Sequence, residues 1–418
     1  MQYPIDEYKT QAATAFTNLL KTFKTWGNGW QVGNVFDTLT DYVVRFPKAE
    51  RTSGEVVAAA HERWGNIQGS MCWYDDWGWW GIASAKAFYP EYKNLFGAYV
   101  IEFQDRANSC WDIMHAGKPD KGPYKYKGGP NVWANRDDGS KPGYFESPDG
   151  WAVPRFPGGV WQYDMFYDTR PKPPECSPSN PANPHTCVLG PFQNTVMNSL
   201  YFVLAVRLVL QRVGTGAPQA IKDELGFLNN WFNLEGDMSL LQRFPDGTLL
   251  VRERVSTYAS PNSGNIYPPV KGYTPKGQWG GDQGLILGGL LDYLQLLPSA
   301  PGVEKQAIAI ARGVLLHMVD DNGVVMPFSD GFDYQHDKDD YDSGSGVFWR
   351  YLLRGFNQNA KLQADILKLI KDNPLQNAIY KSAENPYANA PTGNDLFKEF
   401  NALAVLLAGI EILGKANV

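Results

Sequence analysis

"GGDQGLILGGLLDYL", residues 280–294, begins with glycines and polar groups and then runs on into leucines. An apolar helix this rich in glycine can crowd against its neighbours, because small residues let helices gather around an axis. Four other stretches are built the same way: "DDWGWWGIASAKAF" at 75–88, "FQNTVMNSLYFVLAVRL" at 192–208, "GSGVFWRYLLRGF" at 344–356 and "NDLFKEFNALAVLLAGIEIL" at 394–413. Each opens on polar groups, where a helix N-terminus presents unpaired N–H groups and its positive end. A substrate is expected at those ends.

Working outward, periodicity and stop signals predict twelve helices, at 5–25, 33–46, 53–66, 75–89, 92–116, 192–212, 216–233, 280–297, 303–319, 344–357, 361–380 and 395–414. Strand-like alternation is confined to short pieces such as "GTLLVRERV". The even-numbered helices are followed by tight turns, such as "PE" at 90–91, "VGT" at 213–215 and "PSAPG" at 298–302. Most are preceded by long connections, at 117–191, 236–279, 320–343 and 381–394. Long connections inside a compact domain tend to be functional. This alternation predicts an all-α chain of six helical hairpins with the long loops at one end. Closed into a ring, the hairpins form an (α/α)6 barrel, read as one catalytic domain over 1–418, with the even helices inside. No sequence repeat of fixed period is found, so topology carries the inference.

Composition narrows the function. A net charge of −6 with no Lys/Arg-rich run lacks the footprint of a nucleic-acid binder. No uncharged apolar stretch of about 18 residues is present, which argues against a membrane partner. The 14 Trp and 22 Tyr suit stacking on flat ligands such as sugar rings. Cys176 and Cys187 bracket "SPSNPANPHT", which has little capacity to form a core, so a disulfide staple is expected there. That predicts a secreted or periplasmic protein, in mature form with an added initiator Met; separately, a monomer is expected. Whether Cys72 meets Cys110 is left open. Without a C-x-x-C, and with five dispersed histidines, neither a metal nor any other cofactor is expected.

The stretch "MCWYDDWGWW" at 71–80 sets Asp75 and Asp76 among five aromatic residues. An acidic first turn alone would explain a generic pair of aspartates as helix capping. Five aromatics within eight residues exceed what a cap needs, and they would partly desolvate the carboxylates. Adjacent like charges push one pKa up, so that one acid stays protonated while the other is ionised. Glycoside hydrolysis requires that division of labour.

"WYDDWGWW" followed by "GIASAKAF" resembles the "W-W-D-D-E-G-W-W" region of glycoside hydrolase family 76, the endo-α-1,6-mannanases. In chain order, "GGVWQY" at 158–163 resembles the family's Gly-Gly-x-Trp-Trp segment, and 192–208 its "Y-K-N-A-x-x-N-x-L" helix. "QWGGDQGLILGGLLDYL" at 278–294 is similar to "Y-N-Q-G-x-x-x-G-A", "GSGVFWRYL" at 344–352 to "K-G-I-F-x-R-Y-L", and "QNAIYKSAEN" at 376–385 to "x-N-A-x-x-x-W". The resemblance covers nearly the whole chain. It implies an (α/α)6 barrel that cleaves α-1,6-linked mannan with retention, with Asp75 as nucleophile and Asp76 as acid/base. Retention needs carboxyls about 5–5.5 Å apart, against about 6.5–9.5 Å for inversion, and adjacent residues favour the shorter separation. Three departures are visible: Gly281 and Asp282 stand before Gln283 where the family has Tyr-Asn, Gln193 replaces a Lys, and Trp77 replaces an acid. Such changes can alter sugar subsites while leaving the chemistry intact.

Further candidates for binding a polysaccharide or oligosaccharide are Trp73, Tyr74 and Trp79 beside the doublet, Trp133 and Trp161 in the 117–191 connection, and Trp279. Asn194, Asn198, Asp282 and Gln283 open inner helices and are expected to bind hydroxyls. The acidic segment "SDGFDYQHDKDDYDSGSG" at 329–346 is read as a solvated loop, with calcium or a distal sugar subsite as alternatives. Two functional alternatives stay open: a transglycosylase using the same nucleophile, and a carbohydrate-binding protein without catalysis. Histidine-dependent epimerases share the barrel architecture, but no histidine lies in the matched inner-helix motifs.

Overall fold

The computed structural model describes residues 2–47, 50–67, 74–116, 125–127, 143–146, 152–155, 158–160, 193–232, 240–253, 277–329, 338–391 and 393–417. Their first helices are Ile5–Phe23 (α1), Gly29–Arg45 (α2), Glu50–Ile67 (α3), Tyr74–Ser84 (α4), Pro90–Phe96 (α5) and Val100–Ala116 (α6). Strands Lys125–Lys127 (β1), Gly143–Glu146 (β2) and Ala152–Arg155 (β3) follow, then helices Thr195–Leu210 (α7) and Ala217–Phe232 (α8). A hairpin of Leu241–Arg243 (β4) and Leu249–Val251 (β5) precedes Gly280–Leu296 (α9) and Pro301–His317 (α10). The chain ends with Lys338–Tyr341 (α11), Gly344–Gln358 (α12), Ala360–Asp372 (α13), Ala378–Glu384 (α14) and Asp395–Ala416 (α15).

Helices α2, α4, α7, α9, α12 and α15 touch in that order, and α15 returns to α2, closing an inner ring. Outside it, α3, α6, α8, α10 and α13 each pack on the inner helix that precedes them, and α1 packs on α15. This is the (α/α)6 barrel that the connection lengths anticipate. Burial follows from position. Every residue of α7 from Thr195 to Leu208 is buried, as befits a helix enclosed on all sides. The outer α13 buries only Leu362, Ile366 and Ile370, a single stripe at four-residue spacing. Because each inner helix is reached through one outer helix, the inner N-termini gather on one face of the ring.

The glycines of α9 set how closely the ring closes. Gly280, Gly284 and Gly288 recur every fourth residue and face α12. A Cβ on them would lie 2.7 Å from the Gly344 carbonyl oxygen, 2.8 Å from the Val347 carbonyl oxygen and 2.0 Å from the Tyr351 ring. No side chain fits at such distances without moving the partner helix.

Inside the ring the axis is ionic. The Lys86 ammonium, just past α4, meets Asp37 of α2 at 2.5 Å and Asp41 at 2.7 Å. Arg350 of α12 reaches Asp37 at 3.1 Å. Asp292 of α9 takes Arg207 of α7 at 3.4 Å and Arg354 of α12 at 2.8 Å. Burial opposes ionisation of Asp37, but Arg350, Lys86 and Arg207 outweigh it and hold the carboxyl below the usual carboxylate range.

Two predicted helices are broken. The one expected at 92–116 is interrupted at Gly97, whose φ of +49° lies where a side chain would be strained. A short 3-10 turn over Gly97–Tyr99 preserves enough periodicity to hide the break in the sequence. The one expected at 361–380 stops at Asp372, before Pro374, and restarts at Ala378 with Asn377 as its cap. Strand content also exceeds expectation. The 117–191 connection carries an antiparallel sheet in the order β1-β2-β3, and "GTLLVRERV" contributes β5 to its hairpin with β4.

Candidate active site

Asp75 and Asp76 occupy the first turn of α4 and are half-buried, on the face where the inner helices begin. The aromatics around them divide in two. Trp77 and Trp80 turn outward against Trp64 of α3, edge to face at 5.8 and 5.1 Å, and the Trp80 indole N–H donates to the Gly29 carbonyl at 2.8 Å. They are packing residues. Trp79 turns along the ring, with its centroid 5.9 Å from Trp30 of α2 and 6.2 Å from Trp279, the N-cap of α9. Trp30 continues to Phe397 of α15 at 5.7 Å, and Trp279 to Tyr341 at 5.8 Å, edge to face. An aromatic belt thus joins the starts of α15, α2, α4 and α9 and the segment leading into α12. Tyr74, at the start of α4, is also buried.

The polar candidates hold the mouth of the ring together. Asn194 caps α7, its side-chain oxygen accepting the Met197 N–H at 3.0 Å. Asn198 accepts the Val160 N–H at 2.7 Å and donates to the Val160 carbonyl at 3.3 Å. Gln283 treats Val251 alike, accepting its N–H at 2.7 Å and donating to its carbonyl at 2.6 Å. Each amide thereby pins one residue of a connecting segment to an inner helix. Asp282 lies fully buried in the first turn of α9. Trp279 is held by its indole N–H, which donates to the Tyr341 carbonyl at 2.9 Å.

The sequence did not single out Trp30, Glu253, Tyr341 or Phe397. Tyr341 donates its hydroxyl to the buried Glu253 carboxylate at 2.7 Å, next to Trp279. Reading α2 from residue 33 rather than Gly29 left Trp30 outside the helix whose entrance it forms. Glu253 sits at the end of a strand-like run in which nothing marks it out. In the acidic segment, Asp340 is exposed and accepts from Gln31 at 3.1 Å, whereas Asp342 is buried, so its described part is not uniformly solvated.

Trp73, Trp133 and Trp161 lie outside the described residues, as do Cys72, Cys176, Cys187 and residues 330–337 of the acidic segment. Cys110 is a free thiol in α6, and burial pushes it up to about 12 despite the nearby Arg106. Among the described residues, no group of three or more His, Cys, Asp or Glu is placed to hold a metal ion, and no helix is long and apolar enough to cross a membrane.

No family model and no curated protein matches the sequence. Solved structures do match. One is an inactive variant of the α-1,6-mannanase GH76A of Salegentibacter sp. HEL1_6, with two adjacent aspartates replaced by alanine, in complex with α-1,6-mannotetrose. It is 14% identical, with a TM-score of 0.57 and coverage of 96% of this chain and 99% of that one. Dfg5 from Chaetomium thermophilum, in complex with glucosamine, is 13% identical with a TM-score of 0.56, covering 98% and 90%. The Lin0763 protein of Listeria innocua is 13% identical with a TM-score of 0.55, covering 99% of each chain. At such identities the likeness lies in the backbone, and it extends over most of the chain. The resemblance read from the ordered motifs is therefore matched in three dimensions: this chain has the all-α barrel fold of the family 76 glycoside hydrolases.

Proposed function

We propose that this protein is a glycoside hydrolase that cleaves an α-linked, mannan-like polysaccharide within the chain and retains the anomeric configuration. The observation that carries the reading is the Asp75–Asp76 doublet, half-buried in the first turn of an inner helix at the mouth of the ring and flanked by the aromatic belt. Replacement of two adjacent aspartates in an inactive variant of a mannanase of the same fold supports it.

Asp75, ionised and favoured by the positive end of α4, attacks the anomeric carbon while Asp76 gives its proton to the glycosidic oxygen. The leaving chain departs as an alcohol, and a covalent glycosyl ester remains on Asp75. Asp76, now a carboxylate, takes a proton from water, whose oxygen attacks the same carbon and releases Asp75. Two inversions give net retention. Trp30, the one half-buried member of the belt, is placed to stack on a sugar ring, whereas Trp79, Trp279, Tyr341 and Phe397 are buried and hold it in position. A polymeric substrate places the enzyme outside the cytosol, secreted or periplasmic, where a Cys176–Cys187 disulfide would form, and a monomer suffices for the chemistry.

The test is to incubate wild type, Asp75→Asn and Asp76→Asn with α-1,6-mannan and other α-glycans and follow the first-formed anomer by NMR. The expected products are oligosaccharides of retained configuration, with either substitution lowering turnover on the order of a thousand-fold or more. Inverted products would remove the double displacement. Cleavage of another glycan alone would move the substrate, and no cleavage by wild type would remove the enzyme reading.

A further inference from the structure

A second binding feature lies on the same face, at the seam between α15 and α2. A cleft of about 420 Å³ opens between the 25–28 turn, Gln31 and residues 393–394, within the ~300–1,000 Å³ range of small-ligand sites. Its wall is built. The Trp26 indole N–H donates to the Gln31 side-chain oxygen at 2.6 Å, and the Gln31 amide donates to Asp340 at 3.1 Å. Gln31 is itself only 5% exposed, so the half-buried Trp26 ring is fixed as a plate at the edge of the cleft. Opposite stands Asn394, whose side-chain oxygen is engaged in capping α15 through the Phe397 N–H at 3.0 Å, which leaves its NH2 as donor. Asn28, at the N-terminus of α2, is exposed and makes no capping bond with its side chain.

Among the described residues, no charged side chain lines this cleft; the nearest are Asp340, bonded to Gln31, and Arg63, whose guanidinium is taken up by the Trp26 backbone carbonyl. An anionic ligand would call for guanidinium or ammonium partners. The Asn28 amide, which can both donate and accept, and the Asn394 NH2, which can donate, beside an indole plate, match a neutral, hydroxyl-rich ring. Position ties the cleft to the doublet, since Trp30 of α2 stands ring to ring with Trp79, one helical turn beyond Asp75.

We infer that this cleft is a distal sugar subsite, holding a pyranose of the same polysaccharide whose scissile bond lies at Asp75 and Asp76. The inference rests on the proposed function for the identity of the polymer. Trp26 is its stacking residue, while Asn28 and Asn394 take ring hydroxyls.

Binding separates this from catalysis. In the Asp75→Asn background, affinities for α-1,6-linked mannooligosaccharides of two to six units are measured by calorimetry, with and without Trp26→Ala, Trp26→Phe and Asn28→Ala. Affinity should rise with length, and Trp26→Ala should flatten that rise, with a loss growing to about ten-fold at the longest oligomers. Trp26→Phe, which keeps a ring face, should recover most of it, and Asn28→Ala, which alters only an exposed side chain, should give a smaller loss of the same length dependence. A loss equal at all lengths, no loss, or no binding of any oligomer overturns the subsite. If wild type cleaves no glycan while the length dependence holds, the enzyme reading fails and the subsite stands.

Discussion

Single residues at the mouth of the ring serve two purposes, and only one of them is written in the sequence. Asp75 and Asp76 were legible because chemistry and neighbourhood coincide in one short stretch. Asn198 and Gln283 were equally visible as polar groups opening apolar helices, yet their partners, Val160 and Val251, are ordinary valines many positions away. Nothing local announces that an extended segment will pass within hydrogen-bond reach. Replacing Gln283 by Ala strands a buried N–H and carbonyl, at about 1–3 kcal/mol for each unsatisfied group. We expect a lower urea midpoint with unchanged slope, whereas a variant as stable as wild type would show that the clamp contributes nothing. Activity should fall further than stability if β5 also presents Glu253 to the site, so both are measured on the same preparation.

Elements were read with uneven success for reasons specific to each. Ten of the twelve expected helices were legible as single elements because enclosed helices such as α7 and α9 are apolar throughout and outer ones such as α10 carry clear stripes. Boundaries failed where a 3-10 turn kept the period across Gly97. The β1-β2-β3 sheet lies in a glycine- and proline-rich connection where alternation was too short to register. The spacing of glycines in α9 has an energetic reading of its own. Gly284→Ala sets a methyl against the backbone of α12 and should cost about 1–3 kcal/mol by overpacking. Gly414→Ala in α15, where a Cβ meets nothing within 4 Å, is the control and should leave stability equal or slightly higher. Equal thermal midpoints for Gly284→Ala and wild type would mean that the two helices can separate without loss.

At the scale of the molecule, the barrel axis is held by charge as well as by apolar packing. The sequence shows Asp37, Lys86, Arg207, Asp292 and Arg350 only as isolated charges in apolar helices, since their partners come from different hairpins. Because the folded Asp37 carboxyl is held below its unfolded value of about 3.9, its contribution is fully present above that pH. It is lost as pH falls through the folded value. Asp37→Asn leaves Lys86 and Arg350 facing a neutral amide and should cost about 3–5 kcal/mol at neutral pH. Denaturation midpoints at pH 7, 5 and 3 check this. Wild type should lose stability most steeply below pH 4, and the variant should show a shallower decline. Parallel curves would exclude Asp37 as the acid-sensitive group.

The seat of α1 on α15 also dictates a schedule. The Tyr3 backbone N–H donates to the Asn417 side chain at 3.0 Å across 414 positions of sequence, so during synthesis α1 waits for α15 before it can seat. At about 5–20 residues per second that wait is roughly 20–80 s. Until it ends, the apolar stripe of α1 and the far side of α15 have no permanent cover, and a nascent chain is a natural client for chaperones. The seam is also a place to rejoin the chain. A circular permutant linking residue 417 to residue 3 and opened at the exposed turn around Ser299 should fold to the same barrel, and faster, since its two helices would emerge as neighbours. A permutant refolding no faster than wild type, followed by tryptophan fluorescence, would show that closure of this seam is not the slow step.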